Sequence, residues 1–162
     1  MSYSQPMHSL TLLAFGSAQE SWQNEAQNQY FLRIKPFAHL QCIELPDQAE
    51  SPTVSADTVR AREADILLKR LPAHSFVIAL DERGKNLSSS EWAELLTQEA
   101  ERGTPITLVM GGANGLDERI RARAQKIVSL GKQTMPHILA RIVLLEQLYR
   151  AETILRGKVY HR

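Results

Sequence analysis

Two five-residue runs, Phe76-Val77-Ile78-Ala79-Leu80 and Ile106-Thr107-Leu108-Val109-Met110, constrain this chain more than any other feature. A strand with one wet face alternates apolar and polar residues. These two runs are almost continuously apolar, which is how strands covered on both faces of a parallel sheet read. Shorter runs at Leu10–Phe15, His39–Leu45 and Ile127–Leu130 add three more strand candidates. Helical spacing fills the intervals between them. Trp22, Ala26, Tyr30 and Ile34 recur every four residues. Asp57 is placed to cap a helix through residues 58–71. Ser88 and Glu91 form a capping-box pattern before a helix that Gly103 would close. A long apolar helix is expected from Pro136 to about Arg156, with proline at its first turn and Gly157 just past its end. Strands that alternate with helices predict an α/β fold with a mostly parallel sheet, in one domain without a linker.

A chain of 162 residues is long enough for one adequate core. Its 43% hydrophobic and 23% charged content is that of an ordinary globular protein. No apolar run is long enough to span a bilayer, and residues 1–10 lack the basic and apolar regions of a signal peptide. The single cysteine, Cys42, has no internal disulfide partner and reads as a packed strand residue. A cytoplasmic protein is expected, with no membrane partner. The net charge of +1 hides an asymmetry. Residues 1–116 hold 9 Lys/Arg against 14 Asp/Glu, and residues 117–162 hold 10 against 4. The basic C-terminal section suggests a face for an anionic partner, although a solvated helix face would read the same way.

Three glycine-bearing loops follow three of the strands: residues 81–86, 111–116 and 131–137. Ligands of open α/β sheets bind just beyond the carboxyl ends of the strands, so these loops form a plausible cofactor pocket. Taken singly, each glycine is explained as well by a tight turn. The common phosphate motifs are absent. Gly84-Lys85, Gly131-Lys132 and Gly157-Lys158 are not followed by Ser or Thr, and residues 111–116 lack the spacing of a dinucleotide fingerprint. The lone cysteine and scattered histidines give no zinc spacing, so no metal is expected. No serine-hydrolase elbow is present. His137, next to Pro136, reads by default as a helix-start residue.

Residues 77–85, 107–124 and 135–162, in this order and ending on Tyr160-His161-Arg162, resemble the bacterial 23S rRNA (pseudouridine-N3)-methyltransferases of the SPOUT superfamily. The likeness is strong from Phe76 to Arg162 and looser before it. It implies a single SPOUT domain over residues 1–162, with residues 1–9 as a flexible extension, and a C-terminal segment threaded into a deep trefoil knot. Ordinary connection rules would not propose such a knot. It also implies a cofactor, S-adenosyl-L-methionine, held in the three loops. The residues carried over for this role are Leu80, Gly111, Leu130, Gly131, Lys132, Gln133, Thr134 and Met135. The implied partners are a second copy of the chain and the 23S rRNA of the assembled 70S ribosome. Two departures stand out: several extra residues before the first strand, and a first loop, residues 15–20, without the family's usual Gly-Lys.

The implied reaction moves a methyl group to N3 of a pseudouridine. His161 is a candidate general base, since an unperturbed imidazole titrates near pH ~6.5, with water as the alternative acceptor. Tyr160 is a candidate for stacking on the nucleotide, and Arg150 and Arg162 for phosphate or base-edge contacts. Tyr160, His161 and Arg162 together form the expected catalytic and substrate arm. The rival readings are a SPOUT enzyme acting on tRNA or a ribose hydroxyl, and a ribosome-binding protein without transfer activity.

Overall fold

The computed structural model describes residues 7–160. Five strands form one sheet: β1 (His8–Phe15), β2 (Ala38–Leu45), β3 (Phe76–Asn86), β4 (Ile106–Met110) and β5 (Lys126–Ser129). Every pairing is parallel, in the order β2-β1-β4-β3-β5. Five helices connect and follow the strands: α1 (Ser21–Ile34), α2 (Ala56–Arg70), α3 (Ser89–Glu101), α4 (Glu118–Arg123) and α5 (His137–Leu155).

The continuous apolar runs are explained by two cores, one on each face. Leu10, Leu12, Ile78, Leu80, Leu108 and Met110 turn to the face covered by α3 and α5, where Trp92, Leu96, Leu144 and Leu148 meet them. The intervening Leu13, Phe15, Val77, Ala79 and Val109 turn to the other face, against Ala64 and Leu67 of α2 and Ile120 of α4. The runs Val77–Leu80 and Ile106–Met110 are therefore buried on both faces.

The helix signals resolve individually. Ser88 and Glu91 make the capping box reciprocally, and Gly103 follows α3 with φ +67°. At the end of α5 Gly157 donates to Ile154 O and Lys158 to Thr153 O, the paired closure that a left-handed glycine permits. Helix α2 is capped by Ser55, whose side chain accepts from the Thr58 amide, and not by Asp57, which lies inside the first turn. In α1 the expected apolar stripe is weak. Gln27 and Ile34 are buried, whereas Trp22 is 48% exposed.

Two boundaries differ from expectation. Strand β1 begins at His8, so the expected extension over residues 1–9 loses His8 and Ser9 to the sheet, where they pair with Ala38 and His39. Strand β3 does not stop at Leu80. Val128 of β5 pairs with Leu80 and again with Lys85, so residues 81–84 arch out and the chain returns to the same neighbour. Gly84 makes that return feasible. A Cβ there would lie 2.5 Å from the Val128 nitrogen, so the two backbones touch where any other residue would collide.

Half of the ten basic residues of 117–162 form the following ion pairs within the fold. Arg119 pairs with Asp65, Arg121 with Asp81 and Arg141 with Glu44, while Arg150 and Arg156 pair along α5 with Glu146 and Glu152. Three of those acids belong to the acidic section, so the two imbalances offset each other in part.

Candidate active site

A cleft of about 700 Å³ opens at the carboxyl ends of β3, β4 and β5. This is where the strands' unpaired ends and the following loops leave room, and the volume suits a cofactor-sized ligand. All three glycine-bearing loops contribute. Leu80 and Asp81 come from the first, Gly111 through Asp117 from the second, and Leu130, Gly131, Gln133, Thr134 and Met135 from the third. Lys132 is exposed and does not line the cleft.

The glycines differ in what they permit. Gly131 has φ +142°, and a Cβ there would meet nothing within 4 Å, so it leaves backbone bare beside open space. A Cβ on Gly111 would instead lie 2.7 Å from the Gly115 carbonyl oxygen and 3.1 Å from Leu116. Its smallness lets the 111–116 turn close on itself. That turn is further held by Gly115 N–H donating to Gly112 O at 3.2 Å and by Gly112 N–H donating to Glu63 Oε2 at 3.2 Å. Glu63, on α2, is 3% exposed. Burial pushes its carboxyl above the usual range, against the lowering effect of the Gly112 amide.

The rim is built from ion pairs. Arg121 donates to Leu116 O at 2.6 Å and to Asp81 at 3.1 Å, joining the second loop to the first. Asp117 caps α4 by accepting from the Arg119 amide at 2.8 Å, a bond that holds its carboxyl below the usual range. Arg119 reaches Asp65 and Ala61 O on α2 at 2.8 and 3.0 Å.

Two of the expected substrate residues, Tyr160 and Arg150, lie elsewhere. Tyr160 folds back on α5, its hydroxyl donating to Glu146 Oε2 at 3.0 Å and its ring centroid 4.7 Å from that of Tyr149 in a tilted, edge-on arrangement. The Arg150 guanidinium sits 4.6 Å from the Tyr160 ring centroid and pairs with Glu146 at 2.7 Å. Neither Tyr160 nor Arg150 lines the cleft. His161 and Arg162 lie outside the described residues. The structure does place His137 in the cleft wall, with Ala140 one turn on. Sequence reading assigned His137 to the helix start, and both hold, because helix α5 begins directly after the 130–135 segment. That adjacency was the available signal. Nothing in the sequence pointed to Glu63, which reaches the site from a helix 49 residues away.

A family model described as "Predicted SPOUT methyltransferase" matches residues 8–161. The chain belongs to the SPOUT methyltransferase family. It is 42% identical over 153 residues to ribosomal RNA large subunit methyltransferase H of Acidiphilium cryptum, covering 94% of this chain and 93% of that one. The protein of the same name from Pelotomaculum thermopropionicum is 40% identical over 159 residues, covering 96% and 99%. The fold resembles the solved structure of a "Probable Methyltransferase" from Bordetella pertussis Tohama I. The TM-score is 0.59 at 14% identity, over 90% of this chain and 95% of that one. Among the described residues, no helix is long and apolar enough to cross a membrane, and no group of His, Cys, Asp and Glu is arranged to hold a metal.

Proposed function

We propose that this SPOUT methyltransferase transfers a methyl group from S-adenosyl-L-methionine to N3 of a pseudouridine in the 23S rRNA of the assembled ribosome. The observation that carries the proposal is the full-length likeness to enzymes named ribosomal RNA large subunit methyltransferase H, at 42% and 40% identity. The cleft supports the cofactor half of the reading. Its volume, its backbone left bare at Gly131 and its three converging loops fit a folded nucleoside. Leu80, Gly111, Leu130, Gly131, Gln133, Thr134 and Met135 would hold it, without Lys132. When bound, the cofactor supplies an electrophilic methyl on a sulfonium.

The protein's task is then positioning, because an in-line transfer is accelerated mainly by fixing donor and acceptor in one geometry. The Arg121–Asp81 pair and the Glu63–Gly112 hydrogen bond hold two of the three loops to their neighbours and so keep the cleft in shape. The proposal includes a threaded C-terminal segment. The double pairing of Val128 and the contact at Gly84 are consistent with it. It also includes a homodimer acting in the cytoplasm, in which the Tyr160–Arg162 tail serves the partner's site or the RNA docked across both. The test is mass spectrometry of large-subunit RNA from cells lacking the protein. One methyl group should be missing from one pseudouridine; a methyl missing from tRNA or from a ribose instead would overturn the assignment.

A further inference from the structure

Eight carboxylate and guanidinium residues line the cleft, and six of them are matched by neighbours. Asp57 pairs with Arg60, Asp81 and Glu118 with Arg121, and Asp117 with the nearby Arg119. Two are left over, Glu82 and Arg83, consecutive residues in the arch that interrupts β3. Both are exposed, and among the described residues neither side chain makes a hydrogen bond or an ion pair. The backbone beneath them is held. Arg83 N–H donates to Asp81 Oδ1 at 2.9 Å, Arg121 fixes Asp81 in turn at 3.1 Å, and Gly84 lies against the Val128 backbone. Leu80 and Lys85 both pair with Val128, so the arch stands over the end of β5. From there the chain runs through Ser129 into Leu130 and Gly131, which places the arch beside the segment proposed to wrap the cofactor.

We propose that Glu82 and Arg83 form the subsite for the methionine end of S-adenosylmethionine, Glu82 accepting from its α-ammonium and Arg83 donating to its α-carboxylate. The inference rests on the proposed cofactor. Five carboxylates against three guanidiniums line the cleft, a balance that opposes the phosphates of RNA and favours a cation. S-adenosylmethionine has a net positive charge, from a sulfonium, an ammonium and one carboxylate. A polyanion would satisfy Arg83 and be repelled by Glu82, whereas the amino-acid end of the cofactor uses both. Its ammonium and carboxylate sit on one carbon, so their partners must be neighbours, as two consecutive residues of an arch are. Pairing of a guanidinium with a carboxylate is planar and bidentate, and so sets the direction of the methionine chain. Anchoring that end restrains the sulfonium from which the methyl group leaves.

The experiment is calorimetry on the purified protein with four ligands: S-adenosylmethionine, its decarboxylated analogue, S-adenosylhomocysteine and methylthioadenosine. The second lacks the carboxylate, the third lacks the sulfonium charge, and the fourth lacks the whole amino-acid end. Arg83→Ala should weaken S-adenosylmethionine and S-adenosylhomocysteine by about threefold or more, the scale of an exposed ion pair, and leave the other two unchanged. Arg83→Lys keeps the charge and should recover part of that loss. Glu82→Ala should weaken every ligand that keeps the ammonium and spare methylthioadenosine. All three variants should melt with the parent, since both side chains are exposed. Equal loss on all four ligands, or no loss on any, would overturn the subsite. A Glu82→Ala loss confined to the two sulfonium ligands would overturn the ammonium contact. Unchanged affinities in Arg83→Ala with slowed transfer to ribosomes would assign the guanidinium to RNA and also overturn the proposal. A parent protein that binds none of the four would instead overturn the proposed cofactor, and this inference with it.

Discussion

Gly111 and Gly131 line the same cleft for different physical reasons, and substitutions should separate them. A side chain at Gly111 collides with the Gly115 carbonyl, so the whole 111–116 turn must move. Gly111→Val should weaken S-adenosylmethionine binding by about 2 kcal/mol, the range typical of overpacking, with a lowered melting temperature. Unchanged affinity by calorimetry would remove the turn from the site. Glu63 makes a second prediction at this scale. Burial raises its pKa, so holding it ionised in the folded state opposes folding at neutral pH. That opposition vanishes below the unfolded carboxyl's pKa, where both states are protonated, and grows as pH rises through the folded value. Glu63→Gln keeps an oxygen for the Gly112 amide. The variant should therefore be more stable than the parent at pH 7 and equal to it at low pH. Urea unfolding at several pH values checks this; a difference independent of pH would sink it.

At the scale of elements, Arg141 ties the start of α5 to the end of β1. Arg141 is 1% exposed and donates to Phe15 O, Gly16 O, Gln27 and Glu44, reaching back more than 90 residues for each. Removing it leaves two buried carbonyls without donors and the end of β1 without its anchor. Arg141→Ala should cost about 3 kcal/mol, seen as a lower urea midpoint at unchanged slope. A cost under about 1 kcal/mol would mean that water replaces the guanidinium. The element boundaries divide the same way. Caps at Ser88 and Gly103 were legible because the partners lie within one turn. The run of β3 from Leu80 on to Asn86 was not, because its pairing partner, Val128, lies more than 40 residues downstream.

For the whole molecule, α5 offers a measurable expectation. Ile138, Leu145 and Leu148 are consumed by the core, whereas Leu139 is 38% exposed and Ile142 and Val143 are half-buried. Trp22 and Leu32 of α1 add further exposed apolar surface. Apolar surface of this kind beyond what the sheet covers is what a second copy would bury. Light scattering at micromolar concentration should give a dimer mass, and a monomer mass would count against it. Deleting Tyr160–Arg162 should leave cofactor affinity within about twofold, since Tyr160 packs on Tyr149, Arg150 and Glu146, away from the cleft. The same deletion should lower transfer to ribosomes by tenfold or more if the tail completes a neighbouring site. Full activity of the truncated protein on intact ribosomes would make the tail dispensable.

The amino-acid sequence alone determined whatever depends on near neighbours along the chain. Continuous apolar runs required strands covered on both faces, and alternation with helices required a parallel sheet. The family likeness added the cofactor loops, whose lining residues do converge on one cleft, Lys132 excepted. Tertiary structure alone decided which distant groups meet. It folded Tyr160 onto its own helix, turned much of the C-terminal basic excess into internal ion pairs, and brought Glu63 beneath the Gly112 turn. The physical reason is range. Local propensity and burial act over a turn or a strand and leave a readable period, whereas a hydrogen bond between residues 49 or 126 positions apart leaves no pattern in the chain until the sheet order has been chosen.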